Sequence, residues 1–405
     1  MSWHDSTLGE LAKRDGGLIQ TGPFGSQLHQ AEYEAEGIPV VMPKDITNGR
    51  ISVESVARVS EQTADRLERH KLKPRSIVLP RRGEVTKRAY IRPEQEGWLC
   101  GTGCLKVELN GKHLVPEFLY YFMEQEHVIQ WLVQHAVGTT MLNLSAGIVA
   151  DLPIRYPIVE VQSEIADILS AYDDLIETNR RRMALLEESA RLLYREWFVL
   201  LRFPGHEHTT ITDGVPEGWE RKTLGDLCSE IRESVSPDAL EPDTPYIGLE
   251  HMPRRSISLN DWGQVERVTS SKHRFRSGEI LFGKIRPYFH KVGVAFVDGV
   301  VSSDAIVIRP VDEKLHGLVL MTVSSDEFVA VTSQTMKEGS KMPRADWKQM
   351  QTYSVPLPPS GLLGTFDGVI QPIIAQLKTL TFANQKLRAA RDLLLPRLMN
   401  GEIAV

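Results

Sequence analysis

The sequence repeats four short motifs in the same order, with about 200 residues between the two copies. The first copies are residues 8–11, 77–79, 137–141 and 156–158, and the second copies are residues 224–227, 280–282, 338–342 and 355–357. One match of this kind is weak, but four matches in one order indicate a tandem duplication. A chain of 405 residues is long enough for two domains, so we expect two domains of similar fold.

Each half contains short apolar segments that are separated by Gly, Pro, Asn and Asp. Examples are residues 38–42, 77–79, 292–296 and 305–308. This pattern is typical of short strands joined by turns. Residues 116–135 are predicted to be helical, so each half is predicted to hold a mixed α/β domain. Residues 202–218 contain two prolines and three glycines without apolar periodicity, which predicts a linker.

Each half ends in a long segment whose apolar residues recur every seven positions. In residues 160–199 the first seam is Ile165, Tyr172, Asn179, Leu186 and Leu193, and the second seam is Leu169, Ile176, Met183, Ala190 and Trp197. In the C-terminal segment one seam is Ile370, Leu377, Asn384 and Leu398, and the other is Ile373, Leu380, Leu387 and Leu394. Paired seams of this spacing predict coiled-coil helices. Arg391 interrupts the C-terminal pattern, and Pro396 with Gly401 is predicted to end that helix.

Neither helix could bury its apolar seams alone, so we predict that the two helices pack against each other in antiparallel orientation. Each helix carries one asparagine within a seam, which reduces stability but can fix the register of the pair. The alternative is that each helix covers only its own domain. A helix of about 50 Å, at about 1.5 Å per residue, is longer than one small domain needs, which favours the pair.

Basic residues are concentrated at matching places in the two halves, although the chain has a formal net charge of −6. Residues 66–92 contain ten Lys and Arg against two acids, and residues 267–291 contain seven against one. The alternative for a single basic cluster is a solvated surface. Two clusters at equivalent positions predict a polyanion-binding surface, and we expect the polyanion to be DNA.

The candidate DNA-contacting residues combine cations with aromatic and hydroxyl side chains, which suit phosphates, base edges and sugars. They are Lys44, Arg81, Arg82, Lys87, Arg88, Tyr90, Thr139, Thr140, Lys284, Arg286, Tyr288, His290, Lys291, Lys341 and Arg344.

Recognisable catalytic motifs are absent from the sequence. There is no phosphate-binding GxxxxGK[ST] loop, no Asn-Pro-Pro-aromatic motif of an amino-methyltransferase and no HExxH metal motif. Three cysteines without a CxxC pair and no apolar stretch of about 18 residues favour a cytoplasmic protein and exclude a membrane protein. We expect a chain that is not an enzyme and that holds no metal and no cofactor of its own.

Several segments resemble one family, the specificity (S) subunits of type I restriction–modification systems. The most specific are residues 158–166 with 176–179, and the ending at residues 387–403, which look like that family's central and C-terminal conserved regions. Residues 22–26 and 216–219 are similar to openings of its target-recognition domains. Residues 360–364 depart from the family, which usually has Glu-Gln before the second helix.

The resemblance implies an α+β architecture of two target-recognition domains, 1–155 and 219–355, separated by antiparallel spacer helices at 156–200 and 356–405, with a linker at 201–218. Each domain would read half of a bipartite asymmetric site in double-stranded DNA. Two methyltransferase subunits would dock on the helices, and motor-nuclease subunits would join for cleavage. S-adenosylmethionine, ATP and magnesium would be used by those partners.

Three alternatives remain at this point. The chain could be the S-like subunit of a modification-only methyltransferase system. It could be a coiled-coil scaffold that does not bind DNA, or an enzyme whose site has no recognisable motif.

Overall fold

The computed structural model describes residues 2–47, 49–53, 56–265, 270–334 and 343–405. The chain forms two compact units. Unit 1 comprises Met1–Leu175 and Leu387–Val405, and unit 2 comprises Ile176–Lys386. Both units combine sheets with helices, which confirms the predicted mixed α/β fold.

Unit 1 is built on two small sheets, with strand orders β2-β11-β8-β9 and β10-β4-β7-β3, and on the pairs β1-β12 and β5-β6. The strands are β1 (His4–Thr7), β2 (Leu18–Thr21), β3 (Tyr33–Glu34), β4 (Ile38–Val41), β5 (Ile46–Thr47), β6 (Arg50–Ile51), β7 (Ala57–Val59), β8 (Ile77–Pro80), β9 (Ala89–Tyr90), β10 (Leu99–Cys100), β11 (Cys104–Glu108) and β12 (Pro153–Tyr156). The helices are α1 (Leu8–Asp15), α2 (Glu61–Arg66), α3 (Pro116–Phe122), α4 (Glu126–His135), α5 (Ala146–Ala150) and the first part of α6 (Val159–Tyr194). The helix predicted over 116–135 is therefore interrupted between α3 and α4.

Unit 2 is built on two five-stranded sheets, with orders β16-β25-β22-β23-β19 and β17-β21-β24-β18-β20, and on the pairs β13-β14 and β15-β26. The strands are β13 (Ile211–Thr212), β14 (Val215–Pro216), β15 (Glu220–Thr223), β16 (Cys228–Ile231), β17 (Ser234–Val235), β18 (Pro245–Ile247), β19 (Ser258–Leu259), β20 (Gly263–Gln264), β21 (Lys272–Phe275), β22 (Ile280–Gly283), β23 (Val292–Ala295), β24 (Gly299–Val301), β25 (Ala305–Pro310) and β26 (Ser354–Leu357). The helices are α7 (Leu224–Leu227), α8 (His316–Val323), α9 (Asp326–Gln334), α10 (Trp347–Met350) and α11 (Ser360–Met399), whose last part lies in unit 1.

The two units repeat one hydrogen-bonding plan. In each, a buried central strand pairs antiparallel with a second buried strand, β8 with β11 and β22 with β25. In each, the strand that leads directly into a short helix pairs with the strand that precedes a long helix, β1 with β12 and β15 with β26. These matched pairings support the tandem duplication, whose motif at 338–342 lies outside the described residues.

Helices α6 and α11 run antiparallel, as predicted. Within unit 2, Asn179 Nδ2 donates to Asn384 Oδ1 at 2.9 Å, and the ring centroids of Trp197 and Phe366 are 5.7 Å apart. Residue numbers therefore fall along α11 as they rise along α6. Within unit 1, Arg391 forms an ion pair with Asp173.

The apolar seams are largely withdrawn from solvent because they pack into the cores of their units. The buried seam residues are Ile165, Leu169, Ile176, Asn179, Met183, Ala190, Trp197, Ile370, Ile373, Leu377, Leu380, Asn384 and Leu398. The half-buried seam residues are Tyr172, Leu186, Leu193, Leu387 and Leu394.

Helix α11 differs from the expectation at its end. Pro396 lies inside the helix, which continues to Met399, because Leu395 and Leu398 on either side of the proline are buried in unit 1. The proline removes a single backbone donor from the last turns. Gly401, with a φ of 74°, follows in the left-handed conformation that commonly terminates helices.

Each long helix is fastened to its domain near its own start. Gln162 Oε1 accepts a hydrogen bond from the Val115 amide at 2.8 Å, and Asp367 Oδ1 accepts one from the Gly317 amide at 3.0 Å. Asp367 thus makes in unit 2 the contact that Gln162 makes in unit 1. Residues 360–364, which depart from the family pattern, do not prevent α11 from forming. The hydrogen bond of Asp367 that holds α11 to its domain lies about one turn after them.

The predicted linker is partly ordered. β13 and β14 form a two-stranded hairpin around Asp213 and Gly214, whose φ values of 50° and 72° suit the tight turn of such hairpins. Phe203 is buried, and its ring centroid lies 4.9 Å from that of Trp219. The segment is therefore anchored to the core of unit 2.

Candidate nucleic-acid interface

In unit 1, the loop after the central strand β8 is held on both sides by backbone hydrogen bonds. The Arg81 amide donates to the Gly103 carbonyl at 2.7 Å, and the Arg81 carbonyl accepts from the Leu144 amide at 2.8 Å. A further backbone bridge joins Arg82 to Asn143. The β8 loop, the turn before β11 and the segment after α4 thus meet at one end of the sheet.

Side chains on these loops form a small exposed basic and aromatic surface. The Arg81 guanidinium lies 5.2 Å from the centre of the Phe24 ring, which is 52% exposed. Both residues line a shallow cavity of about 280 Å³ together with Val137. Arg82 is exposed and forms no ion pair with any described residue. Lysines and arginines without a carboxylate partner are the groups that phosphates attract.

The remaining exposed candidates of unit 1 are Lys44, Thr139 and Thr140. Lys44 lies in the short turn after β4, and the two threonines lie in the turn after α4. Lys87 is half-buried and is paired with Glu84.

Two candidates of unit 1 have structural contacts instead. Arg88 is paired with Glu124, donates to the Tyr120 carbonyl at 3.1 Å, and has only 11% of its side chain exposed. Burial lowers the pKa of Arg88 to about 10. The Tyr90 hydroxyl donates to Glu117, and burial raises the pKa of Tyr90. We therefore leave Arg88 and Tyr90 out of the candidate surface.

Unit 2 repeats this arrangement after its central strand β22. The Lys284 amide donates to the Asp304 carbonyl at 2.7 Å, and the Lys284 carbonyl accepts from the Ala345 amide at 2.9 Å. A backbone bridge joins Ile285 to Arg344, as Arg82 is joined to Asn143 in unit 1. Both units therefore contain the same junction, in which the loop after the central strand is hydrogen-bonded to two other loops. Each junction carries cations.

The cations near the junction of unit 2 form more contacts within the protein than those of unit 1. Lys284 Nζ donates to the Ser303 carbonyl at 3.0 Å, and burial lowers the pKa of its ammonium group. Lys291 donates to the Leu249 carbonyl, and burial lowers its pKa as well. Arg344 is 3.1 Å from Asp304 but remains largely exposed. Lys341 lies outside the described residues.

An aromatic cluster follows β22. The Phe289 ring has the guanidinium of Arg254 4.1 Å from its centre and that of Arg286 at 5.8 Å, and Tyr288 beside it is 52% exposed. His290 is buried, and its Nε2 lies 2.8 Å from the Ser324 carbonyl oxygen. Burial lowers the pKa of His290, which favours a neutral structural imidazole over a DNA contact.

Sequence reasoning missed Phe24, Arg254 and Phe289 as site residues. Phe24 belongs to the 22–26 motif, and Phe289 lies inside the second basic cluster, so both carried a signal. Arg254 lies outside both clusters, and only the tertiary contact with Phe289 identifies it.

Neither a metal cluster nor a membrane-spanning helix is found among the described residues. Within that part of the chain, no group of three or more His, Cys, Asp or Glu side chains is placed to hold a metal ion. No helix there is both long and apolar enough to span a membrane.

Comparisons with known proteins agree on one family. Residues 2–188 match the family model described as the type I restriction modification DNA specificity domain. The type I restriction enzyme MjaIX specificity subunit of Methanocaldococcus jannaschii is 23% identical, and the match covers 92% of this chain and 88% of that protein. The HindI specificity subunit of Haemophilus influenzae is 19% identical, over 78% of this chain and 83% of the relative.

The fold also has a solved counterpart. The crystal structure of a type I restriction–modification S subunit from M. genitalium matches with a TM-score of 0.59 at 15% identity, covering 98% of this chain and 96% of that chain.

Proposed function

Because this chain belongs to the family of type I restriction–modification specificity subunits, which recognise DNA sequence and are not catalytic, we propose that it reads a bipartite, asymmetric site. Unit 1 reads one half-site and unit 2 reads the other. The observation that carries this proposal is the arrangement of loops after β8 and β22. Equivalent backbone hydrogen bonds hold these loops in both units, and the loops carry cations in both. Different side chains on two similar frames suit two different half-sites.

We further propose that helices α6 and α11 dock the catalytic partners. Apolar side chains outside the seams, such as Leu185 at 68% and Leu393 at 71% exposure, support this proposal because they are available to another helix. Two methyltransferase subunits would bind there, and motor-nuclease subunits would join for cleavage. The partners would use S-adenosylmethionine, ATP and magnesium, and the complex would act in the cytoplasm.

The test is methyl transfer from labelled S-adenosylmethionine to duplex DNA. We expect this chain alone, and the methyltransferase subunit of its own system alone, to transfer nothing. Together they should methylate a single motif of two blocks separated by a fixed gap. Methyl transfer by the chain alone would contradict the proposal, as would a methylated motif that does not depend on the chain.

The same mixture tests the scaffold alternative. A scaffold that does not bind DNA would support methylation without adding affinity for DNA. Arg81→Ala combined with Arg82→Ala should weaken DNA binding and flatten its salt dependence by about 0.9 in slope for each phosphate that is no longer neutralised. An unchanged slope would favour the scaffold.

A further inference from the structure

In both units, the loop that follows the central strand contributes a residue to a contact between an arginine and a phenylalanine ring. Unit 1 has Arg81 on Phe24, with 5.2 Å from the guanidinium carbon to the ring centre. Unit 2 has Arg254 and Arg286 on the Phe289 ring, at 4.1 Å and 5.8 Å. The two stacks use residues from different loops, so they are not simply inherited from the duplication.

A stacked guanidinium differs from an ordinary surface cation. An exposed arginine explores many rotamers, and fixing it in one of them costs about 2 kcal/mol of side-chain entropy. Stacking on an aromatic ring settles this orientation before any ligand arrives, and it leaves the edge donors of the guanidinium free. Neither Arg81 nor Arg254 forms an ion pair with a carboxylate among the described residues.

We propose that these two stacks read guanine, with Arg81 contacting a guanine in one half-site and Arg254 contacting a guanine in the other. This inference rests on the proposed function. Guanine presents O6 and N7 as two coplanar acceptors in the major groove, and the planar fork of arginine matches both at once. A phosphate requires charge more than a fixed plane, and unstacked Arg82 beside Arg81 suits that role.

Arg254 is the reader in unit 2 because its guanidinium lies closer to the centre of the Phe289 ring than that of Arg286 does. Phe24 and Phe289 are positioning residues that act through the guanidinium. Replacing either phenylalanine by leucine keeps an apolar side chain but removes the aromatic ring on which the guanidinium stacks.

The experiment selects bound duplexes from a randomised DNA pool, using the full chain in complex with the methyltransferase subunit of its own system. Arg81→Lys keeps the charge and loses the fork. We expect it to lower the preference for guanine by about 5- to 150-fold at one position, the range for a bidentate contact, and to leave the other positions unchanged. Arg254→Lys should do the same at one position of the other half-site.

Phe24→Leu should weaken the preference at the position that responds to Arg81→Lys, and Phe289→Leu at the position that responds to Arg254→Lys. Arg66→Lys is the matched control, because the Arg66 guanidinium is already paired with Glu32. The unfolding temperature of each variant is measured as well, so that a loss of folding is not mistaken for a loss of base preference.

The outcomes separate the inference from its premise. An Arg81→Lys or Arg254→Lys variant that selects the wild-type motif at every position overturns the inference. Weaker binding to all sequences alike, with a flatter salt dependence, also overturns it, because that pattern identifies a phosphate contact. Wild-type protein that enriches no motif overturns the proposed function itself.

Discussion

Burial divides the cations around β8 into two kinds. Arg82 is exposed, whereas Arg88, six residues later, is enclosed by Glu124 and Tyr120. The sequence shows both as members of one basic cluster, since charge alone does not reveal which side chains are buried. Only the fold separates the cations that are available to DNA from those that hold the domain together.

This division predicts opposite phenotypes for two neighbouring arginines. Arg88→Ala leaves the Glu124 carboxylate, whose side chain is only 16% exposed, without its partner, so we expect a loss of stability on the order of 3 kcal/mol. Arg82→Ala should change stability by less than about 0.5 kcal/mol, while weakening DNA binding. Urea unfolding and salt-dependent DNA binding of both variants provide the measurements. Equal stability of the two variants would contradict the assignment.

His70 gives unit 1 a sensitivity to acid. Burial, followed by the charges of Arg69 and Lys106, lowers the pKa of His70 to about 4, and the Arg69 Nε–H donates to His70 Nε2 at 3.1 Å. In the unfolded chain this imidazole titrates near its ordinary pKa of about 6.5. Between these two pKa values the unfolded state binds more protons, so stability is lost as the pH falls from about 6.5 towards about 4.

We therefore expect wild-type protein to lose about 2 kcal/mol through His70 between pH 7 and pH 5. His70→Gln should be less stable at pH 7 but should show a smaller loss between these pH values. Urea unfolding at both pH values measures the difference. The same pH dependence in both proteins would show that His70 is not the group responsible.

At the scale of elements, the helices were the most predictable part of the molecule. The heptad pattern located both seams, and the structure confirms the antiparallel pair, because apolar spacing reports directly on which face of a helix is buried. The short strands were predicted as a class, but the strand order within each sheet was not. That order depends on pairings between residues far apart in sequence, such as Leu105 with Thr21 and Leu79.

The asparagine pair within the seams predicts a non-additive effect. Asn179→Leu leaves the buried Asn384 amide without the partner it has at 2.9 Å, so we expect a loss of about 1–3 kcal/mol. Combining it with Asn384→Leu removes the unpaired amide and should restore most of that stability. The double variant should nevertheless methylate DNA less efficiently with its methyltransferase, because the polar contact that fixes the register is gone.

A double-mutant cycle by urea unfolding measures the coupling between the two asparagines. Additive losses in the double variant would mean that the two amides do not act as a pair. Leu186→Ala, which trims a half-buried apolar seam residue, is the control for a simple loss of packing.

At the scale of the whole molecule, the duplication was visible in sequence, and the hydrogen bonds of the two loop junctions repeat it. The side chains proposed to read bases were less predictable, since Arg254 enters the site only through a tertiary stack. The C-terminal helix α11 is anchored in the cores of both units. Leu395 and Leu398 are buried in the core of unit 1, whereas Ile370 and Leu377 are buried in unit 2.

Because α11 is anchored in both units, a test of the spacing between the two half-sites must take both helices into account. We propose that α6 and α11 together set the gap, so both must be lengthened. Seven residues inserted between Arg182 and Met183 keep the α6 seams in register, and seven inserted between Thr381 and Phe382 do the same in α11. Each insertion adds about 10 Å at about 1.5 Å per residue. At about 3.4 Å per base pair, the gap should grow by about three pairs.

The single insertions are the controls. With α6 alone lengthened, α11 cannot keep Leu398 buried in unit 1 and Leu377 buried in unit 2, so we expect loss of stability and of methylation. The paired variant should fold and methylate, with reduced efficiency because about three pairs also rotate one half-site by roughly 100° around the DNA axis, at about 10.5 pairs per turn. Sequencing of methylated sites in cells that carry the paired variant measures the gap. Unchanged half-sites with a longer gap would identify the helix pair as the ruler, whereas the original gap would mean that something other than helix length spaces the two readers.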